Sequence, residues 1–174
     1  MVQFYGGEEM QQLDTKSQSI LFFDVCAKIE GLSAELYHYY SEIHQDNEDV
    51  SQLWKKTALE EENHQKQFEL ANRLRDEVGF ELNADLDRTY RIYQKLNELL
   101  EHVRQSPPDI ITALTKAIEM EEHLANLHLD ISVHFHDESI RKMFQSLREF
   151  DLDHVKSLRH CLAVMMLPHA EMVP

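Results

Sequence analysis

The stretch Leu53-Trp54-Lys55-Lys56-Thr57-Ala58-Leu59-Glu60-Glu61-Glu62-Asn63-His64 reads as part of one long helix and ends in Glu-x-x-His. Residues three apart share a helix face, so Glu61 and His64 project together. Their stripe continues through Trp54, Thr57, Phe68 and Ala71, which is mostly apolar and therefore predicts a core-facing surface. A carboxylate and an imidazole aimed into a core are costly unless they are paired. A bound metal ion would supply that pairing.

A second copy of the stretch follows. Met143-Phe144-Gln145-Ser146-Leu147-Arg148-Glu149-Phe150-Asp151-Leu152-Asp153-His154 aligns with the first at an offset of 90 residues, with Phe144 under Trp54, Asp151 under Glu61 and His154 under His64. Leu158 continues the stripe near the position of Phe68. The helices that precede the two copies also align. Ile29-Glu30-Gly31-Leu32-Ser33-Ala34-Glu35-Leu36-Tyr37 lies over Met120-Glu121-Glu122-His123-Leu124-Ala125-Asn126-Leu127-His128 at an offset of 91, a one-residue change that a loop absorbs. The chain thus reads as a tandem duplication. Two helices each supply an inward Glu and two others each supply an acid-x-x-His pair, the ligand arrangement of a dinuclear carboxylate site in a four-helix bundle.

The 174 residues suit a single domain with a sizeable core. With only four glycines and four prolines to interrupt long periodic segments, the predicted class is all-α. A net charge of −15 repels phosphate and so argues against nucleic acid and against an anionic membrane surface. The N-terminal Met1-Val2-Gln3-Phe4-Tyr5-Gly6-Gly7-Glu8-Glu9 has no basic n-region followed by an apolar run, and no apolar stretch approaches the ~20 residues of a spanning helix. A cytoplasmic protein is expected. Cys26 and Cys161 are the two cysteines and form no C-x-x-C, which excludes a disulfide framework, a zinc ribbon and a rubredoxin-type iron site within the chain. Both are read as small apolar core residues.

In chain order, residues 1–13 read as a tail or short arm. Asp14, Thr15 and Ser17 are N-cap candidates for a first helix over roughly 15–45, whose inward stripe is Phe22, Cys26, Glu30, Ser33, Tyr37 and Tyr40. His44-Gln45-Asp46-Asn47 makes a turn. Glu48-Asp49 open the second helix, which runs to about Val78 before Gly79. A connector over about 80–108, helical near 86–104, spans the length of the bundle. Its Leu86, Tyr90, Tyr93, Leu96, Leu99, Leu100 and Val103 are set to cover either the bundle or a second subunit, so a homodimer is one expectation. Ser106-Pro107-Pro108-Asp109 breaks the chain before a third helix over 109–135, with stripe Leu114, Ala117, Glu121, Leu124, Ala125, His128 and Ser132. A fourth helix runs over 138–166 and ends before Pro168. The helix pairs 15–78 and 109–166 form the internal repeat.

The predicted metal ligands are Glu30, Glu61, His64, Glu121, Asp151 and His154, with Tyr37 and His128 hydrogen-bonding ligand carboxylates from behind. Glu119 and Glu122 flank Glu121. Only Glu121 lies on the apolar stripe, and Glu122 is its main rival. Asp151 is one methylene shorter than its counterpart Glu61, which predicts a closer backbone, an asymmetric site or a weak ligand. Carboxylates with neutral imidazoles suit iron or manganese, and zinc is also compatible. Alone, each Glu is a solvated residue and each His a packing residue. It is their agreement in stripe phase and repeat register that points to a site. His38, His102, His134 and His136 are read as surface residues.

Over about 15–166 this pattern resembles the rubrerythrin-like branch of the ferritin-like superfamily. The resemblance implies a ferritin-like four-helix bundle with a long crossover between its second and third helices. It also implies a diiron site that reduces peroxide or reacts with O₂, in an oxidative-stress role. Three departures stand out. No rubredoxin module is present, which implies a separate electron donor. Leu124 stands where rubrerythrins carry an extra Glu. Asp151 stands where they carry a ligand Glu. Cage-type iron storage is not expected. The alternative is a bundle that binds metal, or a partner, without catalysis.

Overall fold

The computed structural model describes residues 15–78, 86–132 and 138–167, and within them the chain is all-helical. Helix α1 spans Thr15–Ile43, α2 Glu48–Val78, α3 Leu86–Gln105, α4 Ile110–Ser132 and α5 Glu138–Met166. The N-cap candidate Asp14, the stop at Gly79, the terminator Pro168, and His134 and His136 lie outside the described residues. No described helix is long and apolar enough to cross a membrane.

The helix ends follow local chemistry. Asn47 accepts a hydrogen bond from the backbone N–H of Val50 (3.2 Å) through its side-chain oxygen, capping α2, and Glu48 and Asp49 place negative charge at the positive end of the helix dipole. Asp109 does the same for α4, accepting from the Thr112 N–H at 2.8 Å. Pro107 and Pro108 precede it, where a helix does not continue. The predicted end of the first helix, at 45, overran the described one by two residues, whereas the predicted end of the third, at 135, lies outside the described residues. The first stops because the chain turns at His44, whose Nε2 hydrogen-bonds the Pro108 carbonyl at 3.1 Å.

The stripes anticipated from periodicity form the core. Phe22, Cys26, Tyr37 and Tyr40 of α1, Trp54, Phe68 and Ala71 of α2, Leu114, Ala117 and Leu124 of α4, and Phe144, Leu147 and Leu158 of α5 are all at most 2% exposed. The small polar members need no outside partner. Ser33 donates to the Ile29 carbonyl and Thr57 to the Leu53 carbonyl, each one turn back on its own helix. At Gly31 an added Cβ would lie 3.2 Å from the flexible Gln65 side chain, so α1 and α2 pass close there.

Helices α1 and α2 pack as one hairpin and α4 packs on α5. The connector α3 lies on α1, burying Leu96, Leu100 and Val103. Tyr39 donates to the Val103 carbonyl, and an Arg104–Glu35 ion pair adds a second tie. The apolar side of the connector is thereby used on this chain's own bundle. Two aromatic layers flank the polar residues of the core. In one, Trp54 stacks on Tyr37 (centroids 5.5 Å) and leans on Tyr40 (5.1 Å). In the other, Phe144 contacts Phe68 (5.1 Å) and Phe23 (6.3 Å). Between these layers the four stripes bring their charged members together.

Candidate metal centre

All eight residues singled out in the sequence converge in this layer, none of them more than 5% exposed. Glu61 sits at the centre. Its Oε2 lies 3.0 Å from His64 Nδ1, and its Oε1 lies 3.0 Å from His154 Nδ1. Glu30 approaches the first imidazole (Oε2 to Nδ1, 3.5 Å) and Glu121 the second (Oε2 to Nδ1, 3.3 Å). Two groups result, Glu30–Glu61–His64 and Glu61–Glu121–His154, each with its donor atoms within 4.8 Å of one another. The two rings lie 5.9 Å apart at 26°. Glu121 is fully buried, whereas its rival Glu122 is half-buried and paired with Arg159.

Asp151 belongs to neither group. Its Oδ2 is taken by His128 Nδ1 at 2.6 Å, and its Oδ1 lies 4.0 Å from His64 Nδ1. The shorter side chain leaves this carboxylate one step back from the position of its counterpart Glu61.

The residues expected behind the ligands cross the core instead of serving their own helix. Tyr37 donates to Glu121 Oε1, and His128 hydrogen-bonds Glu30 Oε1 at 3.1 Å as well as Asp151. Both hydrogen-bond a carboxylate of the predicted ligand set, as expected, and His128 reaches Glu30 rather than Glu121 of its own helix. Seven residues along a helix is about 10 Å, beyond hydrogen-bond reach, so each residue seven beyond a Glu meets the Glu of the opposite helix. The result is reciprocal. Tyr37 follows Glu30 and bonds Glu121, while His128 follows Glu121 and bonds Glu30. Helices α1 and α4 thus run antiparallel across the site. So do α2 and α5, because Glu60 meets His154 (2.9 Å) and His64 meets Phe150 (ring centroids 5.7 Å). The duplication seen in the sequence is a pseudo-twofold axis through the centre.

The electrostatics follow from this crowding. Burial works against charging His64, but the hydrogen bonds it donates to Glu30 and Glu61, and their charges, prevail and carry it to about 10. His154 is likewise opposed by burial and carried to about 12 by Glu121 and Glu61. His128 lies between two carboxylates and is held well above the usual imidazole range, burial notwithstanding, by Asp151 and Glu30. Both of its ring nitrogens then donate. Burial pushes the Glu30 carboxyl up, but the His128 hydrogen bond and charge, with His64, bring it down to about 2. Glu121, buried and facing Glu61, is pushed up to about 7. Burial, followed by the charge of Glu30, raises the Cys26 thiol, which fits an inert core residue.

Three carboxylate oxygens in the cluster, Glu30 Oε2, Glu61 Oε1 and Asp151 Oδ1, accept no well-formed hydrogen bond. Buried acceptors normally have partners. One carboxylate between two imidazole nitrogens, a terminal carboxylate at each end and idle oxygens facing inward make a donor set that fits two divalent first-row ions.

Glu60 escaped the sequence reading. It lies off the apolar stripe and is hidden in the run Glu60-Glu61-Glu62, and its only signal was the general need of a ligand imidazole for a partner on its second nitrogen. His38, read as a surface residue, is half-buried and pairs with Glu62 at 2.9 Å.

Comparison of the chain with protein-family models, with curated proteins and with solved structures finds no match.

Proposed function

We propose that this chain is a ferritin-like bundle that holds two metal ions, iron foremost with manganese or zinc as substitutes, and acts as an oxidoreductase on peroxide or O₂ in a rubrerythrin-like way. The observation that carries the reading is Glu61, whose two oxygens face two different imidazoles, each with a carboxylate of its own behind it. Glu61 would bridge the ions. Glu30 and His64 would complete one position and Glu121 and His154 the other. Bound iron would supply electrons to the O–O bond or to O₂.

The chain's own residues set the conditions for that chemistry. Tyr37 holds Glu121, and His128 holds Glu30 and Asp151, so the carboxylates are aimed before any ion arrives. The cluster lies between two aromatic layers with every candidate ligand at most 5% exposed, which would limit the access of bulk water. Glu121, pushed up to about 7 by burial and the facing Glu61, would give up its proton on taking its place in the second position. The electron donor would be a separate protein or small molecule.

A second reading, a bundle that binds metal without turnover, is favoured by the depth of the site, since every candidate ligand is at most 5% exposed. Anaerobic loading with Fe(II), rapid mixing with peroxide, and repeated additions of peroxide with a reductant separate the two readings. The oxidoreductase reading expects fast oxidation of bound iron and multiple turnovers. Bound iron that peroxide leaves unoxidised favours the binder.

A further inference from the structure

The pseudo-twofold axis relates Glu60 to Phe150, because the same offset of 90 that places Asp151 under Glu61 and His154 under His64 places Phe150 under Glu60. The two residues occupy equivalent places and do opposite things. Glu60, about a third exposed, reaches over the outer edge of His154 and hydrogen-bonds its Nε2 at 2.9 Å. Phe150 lays its half-exposed ring against His64, tilted by 48°. One ligand imidazole is backed by a carboxylate and the other by a hydrocarbon face.

We propose that this exchange makes the two metal positions unequal, so that Glu61–Glu121–His154 fills first and tightly and Glu30–Glu61–His64 fills second and weakly. The inference rests on the dinuclear reading above. A carboxylate on Nε2 fixes the tautomer that leaves the Nδ1 lone pair facing Glu61 and Glu121, and it raises the donor strength of the ring. Phe150 orients His64 by packing but offers no acceptor. A second difference acts in the same direction, since Glu30 also serves His128, whereas its counterpart Glu121 is supported by Tyr37. Glu60 and Phe150 are thus positioning residues for the two imidazoles.

Titration of the ion-free protein with Co(II), followed by its visible d–d absorption, reads the two positions separately. The wild-type chain should take up one ion per chain and then a second at least tenfold more weakly. Glu60→Gln should weaken the first step by about 10–100-fold, the usual cost of losing such a partner, and bring the two steps together. Phe150→Glu should strengthen the second step and leave the first in place. Circular dichroism checks that each variant remains folded, and the two variants move opposite steps, which a general loss of structure would not do. Two indistinguishable steps in the wild-type chain, or a Glu60→Gln variant that keeps the wild-type ratio, would overturn the inequality while leaving the dinuclear site standing. No Co(II) uptake at all would overturn both.

Discussion

If the cluster holds two ions as proposed, loading it with metal must expel protons, and the number follows from the two imidazoles. In the ion-free cluster His64 titrates near 10 and His154 near 12, against about 6.5 for an ordinary imidazole. Both are raised, so both carry a proton throughout the range from pH 6.5 to 8. A metal ion requires the Nδ1 lone pair, so each imidazole gives up one proton on binding. Two protons per chain leave when both ions bind, plus a fraction from Glu121, which titrates near 7 and is still partly protonated at the acidic end. The sign follows: affinity rises with pH, because the competing protons become scarcer. The overall constant for two ions should climb by about two logarithmic units per pH unit, or roughly a thousandfold between pH 6.5 and 8. Calorimetric titration with Mn(II) in buffers of different ionisation heat counts the released protons directly. A constant that does not change with pH, with no proton release, would refute the assignment of His64 and His154 as the charged partners of the carboxylates and as ligands.

Glu61→Ala removes the carboxylate shared by both groups, so it should abolish binding of both ions, whereas Glu30→Ala and Glu121→Ala should each retain one; metal analysis after desalting distinguishes these outcomes. Tyr37→Phe leaves the buried Glu121 without its phenolic donor and should cost the ion-free protein about 1.5–3 kcal/mol in urea unfolding, the range for a hydrogen bond to a charged group. Trp54→Ala empties a fully buried space between Tyr37 and Tyr40 and should cost about 3–5 kcal/mol in the same assay, with loss of metal retention as the Tyr37 layer relaxes.

The fold class was legible because the helices are long and rarely interrupted, and because each carries a stripe whose apolar members repeat at helical spacing. The site was legible because its charged members sit in phase with those stripes. Burial of Glu30, Glu61, His64, Glu121, Asp151 and His154 follows from phase alone. What crosses between helices was not legible. That Tyr37 bonds Glu121, and His128 bonds Glu30, depends on the antiparallel passage of α1 and α4, which no single stripe encodes. The setback of Asp151 was foreshadowed by its missing methylene, but its capture by His128 was not. Glu60 was hidden because a partly exposed carboxylate beside a buried one looks like any solvated residue in an acidic helix.

The central claim is a dinuclear metal site that reacts with peroxide. Metal analysis of the protein purified from its own host, with absorption spectra of the reduced form before and after peroxide, tests it most directly. Two iron atoms per chain and the rapid appearance of a ferric absorption band are the predicted result. Protein that carries no metal and takes up none when iron is supplied would contradict the claim.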